Sequence, residues 1–239
     1  MIDTVKLHAQ NVRMIAHRGL SGLERENTNA AFVAAANRSY YGIETDIRRT
    51  IDGHFVVYHD NTTLRLTGVD WNVEEHTLEQ LRSLTMKDLD ERVRADLVMP
   101  TLEEYIRICK KYGKVSVLEL KSHFVCEDIQ RIIEIIREEG WLDQTIFISF
   151  DLENMITLRK LLPEQKLQYL VKEINPEVVE ILKTHSLDVD VRYLGLELEQ
   201  VKLLHEAGFE VNVWTVNERD DGQRLAEMGV DFITTNILE

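Results

Sequence analysis

Glu44 and Asp46 stand two residues apart in YGIETDI, a run that is otherwise largely apolar, and Glu119 stands two before Lys121 in KVSVLELK. Side chains two apart on a strand point to the same side, so Glu44 and Asp46 can face one ion, with Glu119 reaching in from a neighbouring strand. Three carboxylates form an oxygen donor set for one hard divalent cation, Mg²⁺ or Ca²⁺, and a poor one for zinc. Taken alone, the Glu44–Asp46 pair is equally well explained by a half-exposed strand with its polar side outward. His17 and Arg18 end the run RMIAH, and His59 ends HFVVYHD. Imidazoles exchange protons near neutral pH, and the forked guanidinium of Arg18, with the Lys121 ammonium beside it, suits phosphate oxygens. A metal, two cations and two histidines together describe a site for cleaving a phosphate ester.

Such a site needs elements that bring distant residues to one place. Eight strand-like runs, at 13–17, 41–47, 114–121, 144–150, 166–171, 187–193, 209–216 and 230–235, alternate with amphipathic helical patterns. Helix ends are marked by a capping box at Thr101 and Glu104, by Pro176 after Asn175, and by Gly113, Gly140, Gly208 and Gly229 as stops. The pattern predicts an α/β fold, a single (β/α)8 TIM barrel spanning 1–239 as one domain; an open doubly wound sheet is the alternative, since alternation does not prove closure. Residues 51–100 interrupt the rhythm: Asp52-Gly53 marks a hairpin, and a polar stretch containing Trp71 follows, so this segment reads as a small insertion after the second strand. Strands of parallel sheets are buried on both faces and should be apolar. Here the first three strands all acquire charge at their C-terminal ends, the functional mouth of a barrel. Trp214, near the end of the seventh strand, reads as either core or a ligand contact.

The chain has 239 residues and a net charge of −14, which argues against general affinity for nucleic acid or anionic membranes. A local metal or a few cations still allow a small anionic substrate. Cys109 and Cys126 show no disulfide spacing and read as indifferent thiols. The polar start MIDTVKLHAQ lacks a signal peptide's apolar core, and no apolar run approaches the ~20 residues that span a bilayer; a cytoplasmic protein is expected, without stable membrane association.

The same residues carry a resemblance that covers nearly the whole chain. AHRG (16–19), ENTNAAF (26–32), IETDIRRTIDGHFVVYHD (43–60), MPTLEEY (99–105), LELK (118–121), ISFD (148–151), VNVWTVN (211–217) and GVDFITT (229–235) resemble, in order, the motifs of the glycerophosphodiester phosphodiesterases. The resemblance implies a TIM barrel with a small insertion and metal-dependent hydrolysis of a small-molecule glycerophosphodiester to sn-glycerol 3-phosphate and an alcohol. It implies that His17 and His59 are catalytic, that Glu44, Asp46 and Glu119 hold the metal, that Arg18 and Lys121 contact phosphate, and that Trp214 lines the glycerol pocket. Arg25 stands where the family usually has Pro, and Asn236 where an Asp is common; both departures read as bearing on loop shape and headgroup preference rather than activity. His8, His54, His76, His123, His185 and His205 read as structural or surface residues, with His123 near enough to Lys121 to approach the mouth.

Two rival functions bear on the same residues. A related barrel phosphodiesterase acting on lipids needs a membrane surface, which the polar insertion does not offer. A noncatalytic glycerophosphate-binding barrel has no need of paired histidines.

Overall fold

The computed structural model describes residues 3–7 and 11–239; His8 lies outside them. Among the described residues nine strands are formed: β1 (Arg13–Ala16), β2 (Gly42–Arg49), β3 (Phe55–Val57), β4 (Val115–Leu120), β5 (Thr145–Ser149), β6 (Leu167–Val171), β7 (Asp188–Arg192), β8 (Val211–Trp214) and β9 (Phe232–Thr235). All but β3 pair in parallel in the order β1-β9-β8-β7-β6-β5-β4-β2, and a β1–β2 pairing closes the ring. The open-sheet alternative is thereby excluded: the fold is a closed eight-stranded parallel barrel.

Helices α1 (Asn29–Ala36), α2 (Leu64–Thr67), α3 (Leu78–Arg82), α4 (Leu102–Tyr112), α5 (Cys126–Glu138), α6 (Leu152–Leu161), α7 (Pro176–His185), α8 (Leu198–Glu206) and α9 (Arg219–Met228) complete the chain. Their faces follow from the 3.6-residue period. In α4, Leu102, Tyr105, Ile106 and Cys109 are buried, while Glu103, Glu104 and Lys110 are not. The predicted capping box starts that helix: the Glu104 amide donates to Thr101 Oγ1 and the Thr101 amide to Glu104 Oε2. Gly113 ends it in the left-handed conformation. Cys109 is buried and Cys126 exposed, and both are free thiols.

Strand register decides which side chains enter the barrel. Gly42, Glu44 and Asp46 lie beside Val115, Val117 and Glu119. Val115 and Val117 belong to the inner cluster with Ile15, Ile146, Ile148, Leu170 and Phe232, whereas Ile43, Ile47, Leu118 and Leu120 pack outward into the larger helix-facing cluster. The three carboxylates therefore share the barrel interior above an apolar plug. They are 2%, 1% and 8% exposed, which rules out the outward-facing polar strand.

Residues 51–100 do leave the βα rhythm. β3 pairs antiparallel with the end of β2 across the turn containing Gly53, and α2 and α3 follow before α4 begins. The apolar residues of this segment are sparse in sequence, yet they converge on a small core of their own, with Tyr58, Leu66, Val73, Leu81, Met86 and Leu97 all buried. That core holds β3, and with it His59, against the barrel rim.

The loop after β1 is shaped by Gly19. Its φ is +78°, and a Cβ there would lie 2.7 Å from the backbone carbon of Ala31. Only glycine meets both demands. Gly19→Ala should cost about 1–3 kcal/mol through left-handed strain and overpacking, read as a lower urea midpoint at unchanged slope; an unaltered midpoint would show that the loop relaxes freely.

Candidate active site

The strand ends and the β3 arm bring the expected residues to one mouth. A cavity of about 100 Å³ is lined by His17, Arg18, Glu44, His59, Glu119 and Lys121 on one side, with Ile148, Phe150, Leu170, Asp190 and Trp214 among the residues completing it. Carboxylate oxygens of Glu44, Asp46 and Glu119 lie within 4.8 Å of one another.

Each carboxylate is held differently. Glu44 Oε2 accepts the Arg18 backbone N–H at 2.8 Å, a contact made possible by the left-handed backbone of Arg18, whose φ is +55°. Asp46 Oδ2 accepts from the Asn27 amide at 2.8 Å, and Asn27 is itself fixed by Thr45. Glu119 Oε1 lies 2.9 Å from Lys121 Nζ, which is also 3.6 Å from Asp46 Oδ1. Arg18 Nε faces Asp46 Oδ2 at 3.3 Å but off the line of a hydrogen bond, while its Nη1 donates to Glu26 at 2.7 Å.

These surroundings split the three acids. Burial, together with the neighbouring Asp46 and Glu119 charges, pushes Glu44 well above the usual carboxylate range, and burial with Asp46 pushes Glu119 up. Burial acts on Asp46 too, but Arg18, Lys121, His59 and the Asn27 amide outweigh it and hold Asp46 below the usual range. Three crowded acids that resist ionising together are a place where a cation would be stabilised. Asp46 Oδ1 is buried and accepts no hydrogen bond, so a donor atom stands ready. Residues present and donor chemistry fit a divalent ion.

The histidines differ in their supports. His17 Nδ1 lies 2.7 Å from Asn236 Oδ1. An amide oxygen only accepts, so Nδ1 carries the proton and Nε2, 4.0 Å from Glu44, is left bare. Burial, then the Arg18 charge, lowers His17 to about 4. His59 Nδ1 instead meets the Asp60 carboxylate at 2.6 Å. Burial, joined by the Arg18 and Lys121 charges, lowers His59 as well, opposed by the Asp46 charge and the hydrogen bond to Asp60. Asp60 continues into a chain of ion pairs, through Arg65 to Glu26 and on to Arg18, which ties the insertion to the loop after β1. Arg48 adds two bonds to the His59 carbonyl.

Every residue expected from the sequence to act here is thus in one cluster, including Trp214, whose indole N–H donates to the Asp190 carbonyl and whose ring meets Phe150 edge-on at 5.6 Å. Reading Asn236 as a matter of loop shape needs correcting, because its side chain contacts His17 and also accepts from Ser21. Arg25 does shape the loop, donating to the carbonyls of Lys87 and Asp88 in the insertion. Asn27, Asp60 and Asp190 were missed. Asp60 follows His59 directly, and Asp190 is the buried one of three charged residues that alternate with valines along β7. His123 pairs with Asp151 in an exposed position rather than entering the site, and His76 stacks on Trp71.

Comparison with known proteins agrees with this geometry. Residues 17–239 match the model of the glycerophosphoryl diester phosphodiesterase family. A glycerophosphodiester phosphodiesterase of Caldanaerobacter subterraneus is 30% identical, covering 93% of each chain. Among solved structures, a phosphodiesterase of Oleispira antarctica in complex with the product sn-glycerol-3-phosphate superposes with a TM-score of 0.86, at 25% identity over 97% of this chain and 95% of that one. A glycerophosphodiester phosphodiesterase of Thermotoga maritima gives 0.78, at 26% identity over 96% of each chain.

Proposed function

Because the chain belongs to the glycerophosphodiester phosphodiesterase family, we propose that it hydrolyses soluble glycerophosphodiesters to sn-glycerol 3-phosphate and an alcohol, with His17 and His59 dividing the proton work and 1–239 acting as one catalytic domain. The observation that carries this reading is the convergence of two histidines, two cations and the carboxylate cluster on one small cavity.

Glu44, Asp46 and Glu119 would hold the divalent cation, Mg²⁺ or Ca²⁺, whose chemistry is to polarise the phosphate and offset its negative charge. Arg18 and Lys121 orient the phosphodiester by its unesterified oxygens and stabilise the charge that builds there. His17, neutral and bare at Nε2, takes the proton of the attacking hydroxyl, either of water, which gives sn-glycerol 3-phosphate directly, or of the glycerol's own 2-position, which gives a cyclic phosphate that water then opens to the same product. His59, with a carboxylate behind Nδ1, is the better place to hold a proton, and delivers it from Nε2 to the departing alkoxide. The apolar wall of Ile148, Leu170 and Trp214 restricts water around these charges.

Arg18→Ala should lower kcat/KM by about 10²–10³-fold, the size seen when one donor to a developing oxyanion is removed. A well-folded variant of near-normal efficiency would restrict Arg18 to its ion pairs. Asn236→Asp should act through pH. A carboxylate behind His17 raises its pKa from about 4, and protonated His17 cannot act as a base. The acid limb of the kcat/KM profile should therefore move to higher pH, and a limb that stays in place would remove His17 from the base role.

The choice of soluble substrates rests on the polar composition of the insertion and on the net charge of −14. The test is a panel of glycerophosphocholine, glycerophosphoethanolamine and glycerophosphoinositol against phosphatidylcholine vesicles. The soluble diesters should be turned over and the vesicles left intact; preferential cleavage of vesicle lipid would transfer the protein to the lipid-acting class.

A further inference from the structure

Asp190 is the one ionisable group on the wall of the cavity facing the carboxylate cluster, and the proton work leaves it unused. It sits on β7, and going round the closed barrel from β2, which carries Glu44 and Asp46, β7 is the fourth strand in either direction. Asp190 therefore stands diametrically across the barrel from Glu44 and Asp46, and three strands from Glu119 on β4. Its neighbours in register are Leu170, a member of the inner apolar cluster, and the buried Asn212, so its side chain points into the barrel. It is 1% exposed, lines the cavity, and its Oδ1 has no hydrogen-bond partner. A buried polar atom left unpaired costs about 1–3 kcal/mol, a cost that a bound ligand can remove. Around it Ile148, Phe150, Leu170 and Trp214 form an apolar side of the cavity, with Thr215 and Thr234 completing the lining.

We propose that Asp190 binds the terminal hydroxyl of the substrate's glycerol, so that the site selects diesters whose glycerol carries a free hydroxyl at its far end. This inference rests on the glycerophosphodiesterase reading of the site. The dimension is set by the fold: with the phosphate drawn to Arg18 and Lys121, the three-carbon backbone runs across the mouth along the apolar wall, and the hydroxyl furthest from phosphorus arrives at β7. Burial, and the Glu119 charge, push the Asp190 carboxyl well above the usual carboxylate range. In its neutral form it offers both an O–H donor and a carbonyl acceptor, which matches a hydroxyl. An ester oxygen at the same position supplies no proton, and its acyl chain would need to pass the carboxyl. Asp190 is a specificity group and touches none of the bonds that change.

The experiment compares kcat/KM for sn-glycero-3-phosphocholine and for 2-hydroxypropyl phosphocholine, which lacks the terminal hydroxyl alone and keeps the 2-hydroxyl. Wild type should favour the first by about 10²-fold, since a site built to pair a hydroxyl is left with an unpaired group by the analogue. Asp190→Leu should bring that ratio below about threefold by losing efficiency on glycerophosphocholine only. Asp190→Asn should lower it about tenfold, and it decides the matter if the Leu variant fails to fold by circular dichroism. A wild-type ratio near one, or a ratio that survives both substitutions, overturns the inference while leaving the enzymatic reading intact. Absence of turnover of either compound by the metal-loaded wild type overturns the enzymatic reading first and the role of Asp190 with it.

Discussion

His59→Ala should be nearly inert toward sn-glycero-3-phosphocholine and should recover on a p-nitrophenyl ester of glycerol phosphate, while His17→Ala should stay crippled on both. Each loss should be about 10²–10⁴-fold, the usual contribution of one positioned acid or base. The two substrates differ at the leaving oxygen. Choline departs as an alkoxide that needs a proton, whereas p-nitrophenolate departs without one, so the nitrophenyl ester spares only the step that the acid performs. The assignment comes from what stands behind each ring: the Asp60 carboxylate at 2.6 Å behind His59 favours a proton on it, and the Asn236 amide at 2.7 Å behind His17 does not. Recovery of the His17 variant instead would exchange the two roles. Recovery of neither would point to metal and cations as sufficient for the leaving group, and normal activity in either variant would end the two-histidine mechanism.

Asp46→Asn should produce the second large effect. Asp46 is the one member of the carboxylate cluster held below the usual range, and its Oδ1 is the unpaired donor. The substitution removes a full negative charge while keeping the shape and the Asn27 contact region. Changing a residue that merely supports a metal ligand costs about 10–100-fold in affinity or activity, and loss of the ligand itself should exceed that. Titration calorimetry with Mg²⁺ and Ca²⁺ should show binding by wild type and a loss of more than about 10²-fold by the variant. Equal metal affinity in the two proteins would take Asp46 out of the site and leave the cluster as a purely electrostatic partner of Arg18 and Lys121.

Much of this arrangement was legible in the sequence because buried parallel strands tolerate few charges. Glu44, Asp46 and Glu119 stood out against apolar neighbours, and the period-two rule placed the first two on one side before any register was known. The strand count suggested a barrel, but its closure depends on β1 pairing with both β2 and β9, a long-range fact that local pattern does not encode. The insertion read as a polar excursion with its apolar residues scattered along the chain, and the core they form was not legible; the fold of the segment brings Tyr58, Leu66, Val73 and Leu81 together. Asn236 is the instructive case. It was visible as a departure from the family, yet its side chain meets His17 only because β1 and β9 are neighbours across the barrel's seam. Asp190 carried a weaker signal than Glu44 and Asp46, because Asp188 and Arg192 alternate with it along DVDVR and the run reads as an ordinary strand with one polar side.

The most direct test of the whole arrangement is product analysis of sn-glycero-3-phosphocholine with protein stripped by a chelator and then reloaded. Stripped protein should be silent, and Mg²⁺ or Ca²⁺ should restore release of sn-glycerol 3-phosphate and choline in equal amounts. Full turnover in excess chelator with no metal bound, or release of phosphocholine in place of choline, would contradict it.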